Sequence, residues 1–110
     1  PLVFDFPNDT EALKQQTQYM FGPSLLVCPV TEPGIESMRV YLPKYEPGWI
    51  FFDSYVSDYD ETDVHYRKVD SETVYKGGQY VDIPVAPYRI PVFRKADQNI
   101  ILSPLRPLKD

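Results

Sequence analysis

The 110-residue chain is predicted to be mainly β, a small antiparallel β-sandwich with one short N-terminal helix. Three observations predict it. From Ser24 onward, short runs rich in Val, Ile, Tyr and Phe recur, and these side chains suit a pleated, half-buried surface. Twelve prolines, mostly in the same part, punctuate the runs; proline is tolerated at strand ends and edges but not inside a helix or central strand. Turn signals separate the runs at Glu32-Pro33-Gly34, Glu46-Pro47-Gly48 and Gly77-Gly78, with Pro presetting φ and Gly supplying positive φ. Short strands so spaced read as a sandwich or barrel. Nine Tyr, six Phe and one Trp supply one core, although a chain this short buries a modest share of its surface.

Taken in order, residues 2–6 are apolar and aromatic and favour a strand, which Pro7 ends. Asn8-Asp9-Thr10-Glu11 opens the helix: Asn8 with Glu11 has the capping-box spacing, and Asp9 is the competing cap. Leu13, Thr17 and Met20 follow at helical spacing until Gly22-Pro23 stops the run. A helix of about three turns is too short to be stable alone, so its apolar stripe must dock. The expected strands are 25–30, 38–42, 49–55, 64–69, 79–84, 90–93 and 100–102. Met38, Val40 and Leu42 share the buried face of theirs, with Arg39 and Tyr41 on the wet one. The run from Trp49 is apolar on both faces at first, which predicts burial on both sides. The 64–69 strand is expected to pair with 73–75 across Asp70-Ser71.

The chemistry on offer is sparse. Asp58, Asp60, Glu61 and Asp63 cluster in one loop, as hard cations want. Asp58, Asp60 and Asp63 are the weak metal candidates. Their spacing lacks the Gly and the distal bidentate Glu of an EF-hand, and the plainer reading is an acidic, solvated loop. His65 is the only histidine and lies in a polar alternating stretch; a triad needs a nucleophile and an orienting acid around it, and it reads as a bystander. One Cys and one His make a zinc site implausible. Cys28, inside Leu25-Leu26-Val27-Cys28, reads as a small buried hydrophobe, and alone it forms no intramolecular disulfide. The net charge of −5 argues against nucleic acid and against an anionic membrane surface. No apolar run approaches a membrane span. The Pro1 start, without an initiator Met, predicts a piece of a longer chain.

Three segments carry a resemblance. Gln18-Tyr19-Met20-Phe21-Gly22-Pro23-Ser24-Leu25-Leu26-Val27-Cys28-Pro29-Val30 resembles the junction where the family 31 glycoside hydrolases leave their catalytic barrel for a small β-domain. Pro1-Leu2-Val3-Phe4-Asp5-Phe6-Pro7-Asn8-Asp9 resembles the family's RPL-x-x-x-FP-x-D run, without its leading Arg. Tyr75-Lys76-Gly77-Gly78-Gln79 through Arg89-Ile90-Pro91-Val92-Phe93 resembles its GGQ…AP-x-x-x-IPVF segment. Two places depart from the family. Residues 55–73 look like an insertion. Arg94-Lys95-Ala96-Asp97-Gln98-Asn99 replaces a shorter Gly-containing turn, with Asp and Asn still able to make one.

The resemblance implies that residues 1–22 end the barrel, 23–104 form the proximal C-terminal β-sandwich and 105–110 are a tail. It implies a parent α-glucosidase or α-xylosidase that retains configuration, needs no cofactor and acts on an α-linked oligosaccharide. Glycosidases need two opposed carboxylates; in the family these come from barrel strands before this segment. Asp9 is better explained as a cap and Asp5 as a strand-end residue, so no catalytic residue is expected here. An apolar patch on the N-terminal part is then expected, with self-association of the isolated segment through it. The rival is a self-contained carbohydrate-binding or protein-interaction module, with Tyr41, Tyr45, Trp49, Tyr55, Tyr59, Tyr66, Tyr80 and Tyr88 as stacking candidates. Against it, aromatics also fill sandwich cores.

Overall fold

The computed structural model describes residues 2–59, 64–85 and 90–98, with the backbone alone along 52–59 and 64–72. Its strands are β1 (Tyr19–Phe21), β2 (Leu25–Val27), β3 (Ser37–Leu42), β4 (Trp49–Tyr59), β5 (Val64–Tyr75), β6 (Gln79–Pro84) and β7 (Val92–Lys95). Among the described residues they form two antiparallel sheets. The larger runs β1-β2-β7-β4-β5 and the smaller is the pair β3-β6. Leu26, Cys28, Trp49 and Phe93 on one side meet Val40, Tyr41, Leu42 and Ile83 on the other in a single buried cluster, closed by Leu2 and Ala12. This is the mainly β, sandwich-like architecture the prolines and turns predict.

Aromatic geometry fixes the centre of that core. Trp49 is fully buried. Phe6 and Tyr45 flank it at ring-centroid distances of 6.0 and 5.7 Å, and its indole N–H donates to the Pro43 carbonyl at 2.9 Å. The hydrogen bond removes the penalty of burying the indole nitrogen. Phe93 meets Phe51 at 5.0 Å and Tyr75 edge-on at 6.0 Å. The double-sided burial read from the Trp49 run therefore holds for Trp49 and Ile50.

Three expectations are corrected. First, the N-terminal strand and helix are absent. Short 3₁₀ turns at Leu2–Phe4 and Ala12–Lys14 stand there instead. Met20, assigned to the helix, pairs with Leu26 in a hairpin whose loop is Gly22-Pro23-Ser24. Gly22 turns that loop with a φ of 67°, so Gly-Pro reverses a ribbon rather than ending a helix. Ladder bonds to β2 outcompete a helix too short to hold itself. Second, β5 does not fold back on itself. It runs unbroken from Val64 to Tyr75 alongside β4, with register shifts between Ile50 and Phe52 and between Val56 and Asp58. Pairing with β4 through residues 64–70 and again through Val74 and Tyr75 forms more bonds than a three-residue return could. Third, Tyr41 is buried, not wet, because the N-terminal segment covers the outer face of β3. The expected strand at 100–102 lies outside the described residues.

Candidate functional site

The densest polar construction is where the N-terminal segment meets β3. Between Leu2 and Gln15 the backbone hydrogen bonds are local: Phe6 N–H to Leu2 O, Asp9 N–H to Phe6 O, Leu13 N–H to Asp9 O and Gln15 N–H to Ala12 O. Side chains therefore attach the segment to the sheets. Asp9 is the centre. Its Oδ1 accepts the backbone N–H groups of Glu11 and Ala12, both at 3.1 Å. Its Oδ2 accepts the Lys44 N–H at 2.7 Å. The Tyr41 hydroxyl donates to the carboxylate at 2.9 Å. Burial pushes the Asp9 carboxyl upward, but the Lys44, Ala12 and Tyr41 hydrogen bonds outweigh it and hold the group below its usual value. Burial, and then the Asp9 carboxylate, push the Tyr41 phenol well above its own.

Gln18 works beside it. Its side-chain amide donates to Tyr41 O at 2.7 Å and accepts the Tyr41 N–H at 2.9 Å. One side chain thus supplies a rung of ladder on the outer edge of β3, which would otherwise be open. Tyr80, the partner of Tyr41 across β3 and β6, lies 5.0 Å away ring to ring. Its hydroxyl donates to Glu11 at 2.5 Å and accepts from the Gln15 amide at 3.1 Å. On the far side Tyr45 donates to Asp97 at 2.6 Å, and the Lys95 ammonium sits over the Tyr45 and Phe6 rings at 4.7 and 5.8 Å.

An open pocket of about 260 Å³ lies next to Asp9, lined by Asp5, Phe6, Pro7, Asn8, Asp9 and Lys44. Asp9 is not set up there as a general acid. A general acid needs a raised carboxyl pKa, whereas that of Asp9 is lowered and its acceptor capacity is engaged by backbone and phenol donors. Among the described residues, no buried side-chain nitrogen or oxygen lacks a partner. The polar centre is a fastening.

Other candidates fall as follows. Asp9 accepts the Glu11 and Ala12 amides at the start of the Ala12–Lys14 turn, as a cap would, although Glu11 stands at the N-cap position itself without a side-chain cap bond; Asn8 is exposed. Asp5 is exposed at the pocket rim. Cys28 is buried and free, and burial pushes its thiol up to about 12. Asp58 and His65 face each other in the β4–β5 backbone register, their side chains outside the described set; Asp60, Glu61 and Asp63 lie outside the described residues. Among the described residues no three His, Cys, Asp or Glu side chains cluster as metal ligands. Of the stacking candidates, Tyr41 and Trp49 are buried, and Tyr45 and Tyr80 hold carboxylates. Tyr88 and the side chains of Tyr55, Tyr59 and Tyr66 are outside the described set. Sequence reasoning missed Gln18 and Lys44, and offered Tyr80 as a stacking candidate rather than as the partner of Glu11 and Gln15. Each acts across a long stretch of chain, and no local spacing marks them.

The described fold is thus an antiparallel two-sheet β-domain whose central carboxylate is engaged by backbone and phenol donors. Residues 1–101 match the model of the glycosyl hydrolase family 31 C-terminal domain, and the chain belongs to that family. It is 36% identical over 100 residues to human neutral alpha-glucosidase C, covering 91% of this chain and 9% of that protein. To the alpha-xylosidase of Saccharolobus solfataricus it is 34% identical over 93 residues, covering 84% of this chain and 10% of the relative. Among solved structures, a GH31 alpha-xylosidase from a soil metagenome, complexed with xylose, superposes with a TM-score of 0.63 at 35% identity, covering 89% of this chain and 12% of that one. The chain thus spans about a tenth of the length of the curated relatives named here.

Proposed function

We propose that this chain is the non-catalytic C-terminal portion of a family 31 α-glycosidase and buttresses its catalytic barrel. The parent would hydrolyse terminal α-linked glucose or xylose with retention, without a cofactor. Residues 1–22 would complete the barrel edge, 23–104 form the proximal sandwich and 105–110 a tail, with no catalytic residue in any of them. The observation that carries this is where the apolar surface lies. Of the eight large hydrophobics exposed among the described residues, five (Val3, Phe4, Leu13, Tyr19 and Phe21) lie in the first 21 positions. That concentration in one part of the chain supports reading it as a surface built to be covered. Isolated from its barrel, the chain would self-associate through that surface. The saturation of Asp9 supports assigning it a structural rather than a catalytic part.

The test is hydrolysis of nitrophenyl α-glucoside and α-xyloside. The reading expects turnover by a chain extended N-terminally through a full barrel and none by these 110 residues. Turnover by the short chain overturns it. Silence in both, with sugar binding by the short chain, replaces it with a binding module.

A further inference from the structure

The fastening at β3 has a geometry that goes beyond buttressing and stands whether or not the parent is a glycosidase. Among the described residues, the hydrogen bonds joining residues 2–18 to the sheets end on three residues. Asp9 reaches the Tyr41 hydroxyl and the Lys44 N–H. Gln18 reaches the Tyr41 backbone twice. Glu11 and Gln15 reach the Tyr80 hydroxyl. Tyr41 and Tyr80 are one cross-strand pair and Lys44 lies two residues past the end of β3, so the attachment is focused on one rung of the smaller sheet and the loop beside it. The apolar anchors on residues 2–18 are Leu2, Ala12 and, against Trp49, Phe6, and Ala12 is placed by its own N–H bond to Asp9. The sheets owe none of their backbone-to-backbone ladder bonds to residues 2–18.

We propose that residues 5–18 form a strap, clasped by Asp9 and Gln18 onto the Tyr41–Tyr80 rung, that opens as one unit while both sheets persist. A segment with local backbone bonds and a few long-range side-chain attachments is what opens below the global unfolding energy. The clasp sets the direction in which the chain N-terminal to the strap leaves the sandwich. The titratable groups around Asp9 are Tyr41, Lys44 and Glu11, with Asp5 lining the same pocket and Tyr80 behind Glu11.

Amide hydrogen exchange on the full chain tests this. The reporters are the Glu11, Ala12 and Lys44 amides, which donate to Asp9, and the Tyr41 amide, which donates to Gln18. The controls are the Cys28 amide, bonded to Pro91, and the β4–β7 ladder. Asp9→Asn cannot accept from both Lys44 and the two turn amides. It should speed exchange of the reporters together by about tenfold or more, and of the controls by much less, the size of a lost charge-assisted hydrogen bond. In the wild type, reporter protection should fall as pH drops through the Asp9 carboxyl, and Asp9→Asn should lack that fall. Tyr41→Phe, which keeps the ring in the core, repeats the test should Asp9→Asn not fold. Equal acceleration in reporters and controls overturns the proposal, because the strap is then no separate unit. Unchanged reporters overturn it equally, because the clasp then holds nothing.

Discussion

At Gly77 the chain has no room for a side chain. A Cβ there would lie 2.4 Å from the Pro43 carbonyl and 2.5 Å from the Tyr45 nitrogen, both backbone atoms that move only with the turn before Trp49. The neighbouring Gly78 N–H donates to Leu42 O at 2.7 Å, so a shift at 77 also strains the end of β3. Gly34 differs: nothing lies within 4 Å of its Cβ position, and only a φ of 80° asks for glycine. Gly77→Ala should therefore cost about 2–4 kcal/mol, in the range of a steric defect inside the fold. Gly34→Ala should cost about 1 kcal/mol, the left-handed backbone alone. Urea denaturation of both variants gives the comparison, and equal losses would refute the close-approach account. Both glycines read as turn residues in the sequence. Only the structure separates the one confined by its neighbours from the one needed for its dihedral.

At the scale of elements, legibility followed how local the cause was. The β6 strand matched its expected span to the residue, because it is alternating and bounded by Gly77-Gly78 and a proline. The 64–69 segment was misread, since Asp70-Ser71 looks like a turn until β4 offers a longer partner. The N-terminal segment failed most. Leu13, Thr17 and Met20 have helical spacing, but Leu13 is exposed to nearly half its area, Gln18 is buried on β3 and Met20 belongs to a ladder. The Asp9 cap was legible; its links to Tyr41 and Lys44 were not, for they lie more than thirty residues away. Those links predict a pH profile. The folded Asp9 carboxyl is lowered, so its stabilisation is complete above the unfolded value of about 3.9 and is lost as pH falls through the folded one. The Tyr41 phenol is raised by burial and by Asp9, and Tyr45 and Tyr80 are raised mainly by hydrogen bonds to Asp97 and Glu11. Their contribution is complete below about pH 10 and is lost as pH rises through the folded values. Thermal melts from pH 2 to 12 should show a plateau with a limb at each end. Asp9→Asn should flatten the acid limb and lessen the alkaline one; an unaltered acid limb would remove Asp9 from the account.

For the whole molecule the decisive quantity is where uncovered apolar surface sits relative to charge. The net charge of −5 opposes association of two copies. The N-terminal hydrophobics favour it, and Phe4 and Phe21, at 82% and 67% exposed, present the most surface. Burying apolar area is worth about 25 cal/mol per Å², so a few hundred Å² covered on each copy competes with the repulsion. Salt screens the charges over about 10 Å at 0.1 M and leaves the apolar term in place. Sedimentation of the isolated chain should therefore show association that strengthens as salt is raised. Phe4→Ser with Phe21→Ser should return the chain to monomer and lower its binding of the apolar dye ANS. Because neither ring is buried, the double variant should keep its melting temperature within a few degrees. Association that survives both substitutions would place the contact elsewhere and detach the patch from barrel docking. A monomer at every salt concentration, with strong dye binding, would refute self-association while leaving the rings uncovered, with shape rather than apolar area deciding what can cover them.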